Sequence, residues 1–130
     1  MPHRSHRTRV LAAAAVACAL AAAGCAAGGP TGDVDKLKVE TSQFELSVTN
    51  TSGRALFDVK VEILPTGPSS HYTAIVPRME NGERRSLSHN LFTDNDHVSF
   101  SARNTRAKGI MVTAKDIDGK ELRLEMPWSK

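Results

Sequence analysis

Phe44-Glu45-Leu46-Ser47-Val48-Thr49-Asn50-Thr51-Ser52-Gly53-Arg54-Ala55-Leu56-Phe57-Asp58-Val59-Lys60-Val61-Glu62-Ile63 contains two runs with a side-chain period of two. Phe44, Leu46 and Val48 alternate with Glu45, Ser47 and Thr49; Phe57, Val59, Val61 and Ile63 alternate with Asp58, Lys60 and Glu62. Successive side chains of a strand point to opposite faces, whereas a helix repeats its apolar stripe every three to four residues. The spacing therefore predicts two half-buried strands. Asn50-Thr51-Ser52-Gly53 between them supplies residues that tolerate positive φ, and the expectation is a hairpin that pairs the two runs.

The same period extends in both directions. Leu37, Val39 and Thr41 precede the first run in the opposite parity, which predicts a kink or bulge near Thr41 to Gln43. Pro65 to Ser70 is a break, and His71 to Val76 reads as a strand with Tyr72, Ala74 and Val76 on one face. Glu80-Asn81-Gly82-Glu83 is a turn, Arg85, Leu87 and His89 alternate weakly, and Asp94-Asn95-Asp96 marks a turn before a strand through Val98, Phe100 and Ala102. Ile110, Val112 and Ala114 then face Leu122, Leu124 and Met126 across Asp116-Ile117-Asp118-Gly119-Lys120, where Asp-Gly is a strong hairpin signal. Seven or eight short strands with frequent turns and no helical stripe predict an all-β, antiparallel two-sheet sandwich over residues 37–130, with a small β-barrel as the alternative.

The run from Phe44 to Gly53, followed by Leu56, Val59, Val61 and Ile63, resembles the opening of small immunoglobulin-like domains of bacterial envelope proteins, including the FxLYD type. Gly82-Glu83 matches a Gly-Glu pair that such domains often carry before a middle strand, while Phe57-Asp58 stands where the FxLYD name has Tyr-Asp. The resemblance implies an immunoglobulin-like sandwich without catalytic activity.

The N-terminus is of a different kind. Met1 to Arg9 carries Arg4, Arg7 and Arg9 without an acid, and Val10 to Ala23 contains only Val, Leu, Ala and Cys18. Fourteen apolar residues fall short of the roughly 20 that a spanning helix needs, and the pattern is that of an export signal. Ala22-Ala23-Gly24-Cys25 resembles a bacterial lipobox, with Ala22 where Leu is usual. The resemblance implies a signal peptide over residues 1–24, cleavage before Cys25 and diacylglycerol on its sulfur. An ordinary cut at Ala21-Ala22-Ala23, leaving Cys25 as a free thiol, is the other reading.

Cysteine and charge accounting follow from that cut. Cys18 lies within the discarded segment, so Cys25 is the single cysteine remaining and no intramolecular disulfide can form. A lipid thioether also removes the problem of a free thiol in an oxidising compartment. Arg4, Arg7 and Arg9 account for the whole formal charge of +3, so the chain from Cys25 onward is formally neutral and no nucleic-acid partner is expected. Residues 25–36, rich in Ala, Gly and Thr at their start, read as a lipidated cysteine and a flexible tether.

Candidate chemistry is sparse. Ala114 to Glu125 places Asp116, Asp118, Gly119 and Glu125 as a calcium loop would, yet Ala114 and Leu122 occupy ligand positions and both flanks read as strands. His71, His89 and His97 lack metal-ligand spacing, and no metal or cofactor is expected. His89 with Ser86 or Ser88 and Asp94 has the residue types of a triad without a Gly-x-Ser-x-Gly elbow, so no enzymatic activity is expected. Arg103, Arg106 and Lys108 in one loop are the candidate contact for a partner or for lipid head groups, and Trp128 is expected to lid the sandwich edge. The functional expectation is a lipid-anchored envelope module that holds or assists a protein partner. The alternative is a carrier of a small envelope ligand, a lipid or peptidoglycan fragment. Phe44, Phe57, Tyr72, Phe92, Phe100 and Trp128 suffice for one core and leave little for a ligand cavity.

Overall fold

The computed structural model describes residues 29–129; the expected signal segment and Cys25 lie outside them. Eight strands follow in chain order: β1 Thr31–Gly32, β2 Leu37–Thr41, β3 Glu45–Asn50, β4 Leu56–Pro65, β5 Tyr72–Met79, β6 Arg84–Ser88, β7 Ala107–Lys115 and β8 Glu121–Pro127. One 3-10 turn, His89–Leu91, follows β6, and no α-helix occurs among the described residues. All pairings between strands are antiparallel. The strands form a five-stranded sheet ordered β1-β8-β7-β4-β5 and a three-stranded sheet ordered β2-β3-β6.

This is an antiparallel two-sheet sandwich, not a closed barrel. In immunoglobulin terms β2, β3 and β6 take the places of strands A, B and E, and β4, β7 and β8 those of C, F and G. Between the sheets lie Leu37, Val39, Leu46, Val48, Leu56, Val59, Val61, Ile63, Ile110, Val112, Leu122 and Leu124, all buried. Apart from Leu56, which precedes a bulge in β4, each comes from the inward parity of its strand, and each removes its apolar surface from water at a gain of about 1.5 to 3 kcal/mol for a Val, Leu or Ile. The hairpin of β7 and β8 has the expected register, with Ile110 opposite Met126, Val112 opposite Leu124 and Ala114 opposite Leu122.

Four local expectations are corrected. The two opening runs do not pair: β3 lies between β2 and β6, while β4 lies between β5 and β7 in the other sheet. Asn50–Ala55 is an arch between sheets, because the Asn50 side chain turns inward and is fully buried there. Its Nδ2 donates to the carbonyls of Arg54, Met79 and Glu80 at 2.7, 3.1 and 3.1 Å, and its Oδ1 accepts from Ser52 N at 3.0 Å.

The parity change near Thr41 to Gln43 is not a kink in one strand. It is a tight reversal that joins β2 to β3 as a hairpin, with Ser42 Oγ accepting from the amides of Phe44 and Glu45. Phe44 therefore sits in a turn and is 69% exposed instead of entering the core. Val98, Phe100 and Ala102 form no strand: only the isolated bridges Thr73–Thr93 and Thr93–Ser99 occur there, and Phe100 alone of the three is buried.

Two further details matter for the ends of the sandwich. Within β4, Asp58 has φ 51° and the register against β7 shifts between Phe57 and Lys60. This bulge leaves Leu56 and Val59 both buried and Phe57 outside, its ring 5.2 Å from the Arg78 guanidinium carbon. Thr31 and Gly32, inside the stretch read as tether, pair with Glu125 and Leu124 of β8. Asp33 closes this junction, its amide donating to the Arg123 carbonyl at 2.8 Å and its Oδ2 accepting from Arg123 N at 2.9 Å.

Candidate functional site

One end of the sandwich gathers most of the candidate residues. The strand directions bring together the reversal Ser42–Phe44, the start of β5, the long connection from Ser88 to Arg106 and the chain after β8. Thr41 Oγ1 lies 2.6 Å from Ser129 Oγ, tying the C-terminal segment to the β2 end. Trp128 is held by its backbone, N–H donating to the Lys108 carbonyl at 3.1 Å.

The floor of this end is aromatic. Phe100 contacts Tyr72, His89 and Trp128 with ring centroids 5.3, 5.5 and 5.7 Å apart, and His89 and Trp128 stand 5.8 Å apart. Such tilted and edge-on pairs place ring edges against faces, the favourable quadrupole arrangement. Trp128 is thus half-buried against the core and covers this end of the sandwich, where an edge was expected. The His89 amide donates to the Phe44 carbonyl, but its ring Nε2 is buried without a hydrogen-bond partner. Burial holds the His89 pKa below the ordinary histidine value, since the charged ring would lose hydration there.

Shallow open grooves run over this floor. One, of about 460 Å³, is lined by Thr66, Phe100, Thr105, Arg106 and Trp128 among others; a second, of about 420 Å³, runs past Phe44, His89, Phe100 and Arg103. Arg103 lies in the turn closed by Asn104 N to Ser101 O, while the Arg106 carbonyl accepts from Thr66 N. Lys108 opens β7 and lines a third groove with Gly29, Gly109, Met126 and Pro127. All three cations are exposed, and among the described residues none has an ion-pair partner within 4.0 Å.

The other candidates fall apart spatially. Asp94 Oδ1 accepts from the amides of Asp96 and Val98, each at 2.9 Å, the turn role expected for that segment. Asp116 Oδ1 does the same for Asp118 and Lys120, and Asp118 reaches Arg54 at 2.7 Å. Among the described residues no three His, Cys, Asp or Glu side chains converge on a possible metal position. His71 lies 3.6 Å from Glu62, and His89 packs among aromatic rings; neither the serines of β6 nor Asp94 hydrogen-bonds to its ring. Sequence reasoning missed the exposed Phe44 and the enclosed His89. The parity change at Thr41–Gln43 was the available signal for the first; nothing local marked the second.

The fold defines the protein as an all-β, antiparallel two-sheet sandwich with an aromatic, cation-rimmed end. No protein-family model, curated protein or solved structure matched the chain.

Proposed function

We propose that this protein is an exported, lipid-anchored, non-catalytic module of the bacterial cell envelope that holds a protein partner. The observation that carries this reading is the run from Arg4 through the apolar Val10–Ala23 stretch to Ala22-Ala23-Gly24-Cys25, followed six residues later by the first strand of a β sandwich. Signal peptidase II cleavage before a diacylated Cys25 is the processing that this order supports. Binding rather than chemistry is supported by a core filled with aliphatic side chains and by polar groups largely engaged in turns and ion pairs. Ile117, 71% exposed in the turn between β7 and β8, and Ile75, 65% exposed on the edge strand β5, offer a partner apolar surface away from the aromatic end.

The expected outcome of metabolic labelling with an alkynyl fatty acid is a labelled wild type and an unlabelled Cys25→Ser chain that still folds. An unlabelled wild type sinks the anchor. A specific envelope protein captured by in-cell crosslinking through a photoreactive residue at position 117 supports the partner reading.

The aromatic grooves and the unpartnered His89 Nε2 favour one second reading, a small-ligand carrier. Native mass spectrometry of the purified protein separates the two: a persistently bound small molecule favours the carrier.

A further inference from the structure

We infer that the aromatic end of the sandwich rests on anionic lipid head groups, with Trp128, Phe44, Arg103, Arg106 and Lys108 toward the bilayer and the Asp116–Lys120 turn away from it. The inference rests on lipid anchoring at Cys25, proposed above.

The first argument is where the chain enters. β1 runs antiparallel to β8, with Thr31 opposite Glu125 and Gly32 opposite Leu124, so the chain enters β1 from the side of Pro127. Gly29 accordingly lines a groove with Lys108, Met126 and Pro127. Four residue steps separate Cys25 from Gly29, a reach of at most about 14 Å even when fully extended. The seven residues of β8 carry the far turn roughly 20 Å beyond that point. A lipid on Cys25 therefore keeps the Trp128 end near the membrane and the Ile117 end distant from it.

The second argument is charge. At the far end Lys36, Arg54, Arg78 and Arg85 are paired with Asp33, Asp118, Glu80 and Glu83, leaving Lys115 and Lys120 as the cations there without an ion-pair partner within 4.0 Å among the described residues. Arg103, Arg106 and Lys108 lack such partners among the described residues and form a patch of three unpaired cations at the entry end. Of the acids near that end, Glu125 is taken up by Arg123 at 3.6 Å and Asp94 accepts from two backbone amides, while Glu45 and Asp96 are exposed on other parts of that end without an ion-pair partner within 4.0 Å among the described residues. The attraction of an anionic surface decays over a Debye length, about 10 Å at 0.1 M salt, comparable to the reach of the leash.

The third is apolar exposure. Phe44 is 69% and Leu91 55% exposed at the entry end, beside the half-buried Trp128. Aromatic rings with cations around them suit the head-group layer, where apolar faces and charges are accommodated together.

Trp128 is the only tryptophan and serves as the probe. The lipidated protein, its Cys25 modification verified by intact mass, is reconstituted into phosphatidylcholine–phosphatidylglycerol vesicles containing a lipid with a nitroxide on its head group. The orientation predicts Trp128 emission quenched about twofold or more, and less quenching in the Arg103→Glu, Arg106→Glu, Lys108→Glu triple variant. A tryptophan at the far end, Ile117→Trp in a Trp128→Phe background, is expected to be spared. A fluorophore on Asp118→Cys in the otherwise wild-type chain gives the same readout should Trp128→Phe fail to fold. A lipidated, vesicle-bound chain with unquenched Trp128, or with the far-end probe quenched instead, overturns the orientation alone. A membrane-purified chain with no lipid on Cys25 overturns the anchor and the orientation together.

Discussion

His89 stands with its ring between Phe100 and Trp128, its Nε2 buried and unpartnered, and burial depresses its pKa from the ordinary value of about 6.5. The folded state therefore binds the proton less readily than the unfolded chain. The stability associated with neutral His89 is complete above the ordinary histidine pKa and declines as the pH falls through it towards the folded pKa, below which His89 causes no further loss. Urea unfolding of wild type and His89→Phe at pH 7.5 and pH 5.5 checks this: the midpoint of the wild type is expected to fall more on acidification. Phenylalanine keeps a ring in the cluster and removes the orphaned nitrogen, so little loss is expected at pH 7.5. Gly32 presents a second single-residue dependence. It has φ 94°, and an added Cβ would overlap the Arg123 carbonyl oxygen. Gly32→Ala is expected to cost about 1 to 2 kcal/mol and to detach β1 from β8, read as faster hydrogen exchange at the Asp33 and Arg123 amides.

At the scale of elements, the arch Asn50–Ala55 decides which sheet each half of the opening segment enters. Asn50 Nδ2 satisfies the buried Met79 carbonyl and the Arg54 and Glu80 carbonyls, binding the arch to the β5–β6 turn. Asn50→Ala removes a donor from all three carbonyls, of which Glu80 O keeps Glu83 N and Arg54 O keeps Ser52 Oγ, and is expected to destabilise by about 1 to 3 kcal/mol in chemical denaturation. A loss below 0.5 kcal/mol would mean that water or relaxation replaces the side chain. The arch also marks the limit of what the sequence made legible. Alternation identified β3 and β4 as strands, and Gly53, with φ 84°, does adopt the positive φ expected of a turn residue. Local pattern carries no information about pairing across a turn: β4 is claimed by β7, whose apolar residues lie some fifty positions later. The β7–β8 hairpin was readable because its two apolar runs and the Asp116–Lys120 turn are self-contained. Parity alone could not separate a kink from the β2–β3 reversal, and so Phe44 was assigned to the core. The cations were legible as a loop in sequence; their placement beside His89, Trp128 and the entering chain required the β1–β8 pairing and the path of the Ser88–Arg106 connection.

For the whole molecule, sequence order and spatial order are strongly crossed. The first strand pairs with the last, β3 with β6 and β4 with β7, whereas β2–β3, β4–β5 and β7–β8 join neighbours in sequence, so half of the pairings can form locally but neither sheet is complete before most of the chain is present. Loop closure must precede these pairings and opposes them entropically, which places such sandwiches among slow-folding small domains. β8 holds a decisive position, being paired on both sides, by β1 and β7, and supplying Leu122 and Leu124 to the core. A chain ending at Lys120 loses those side chains and leaves β1 without a partner and one edge of β7 bare. It is expected to show no cooperative unfolding transition by circular dichroism, whereas the full Cys25→Ser chain unfolds in one step. Trp128, packed on Phe100 and His89, reports the closing of the entry end. After dilution from urea its fluorescence is expected to recover as a single exponential in milliseconds to seconds, together with the far-ultraviolet signal. An aromatic end that assembled before the sheets would instead give a fast Trp128 phase ahead of the secondary structure, and the docking of β1 and β8 would then not be what positions the end against a membrane.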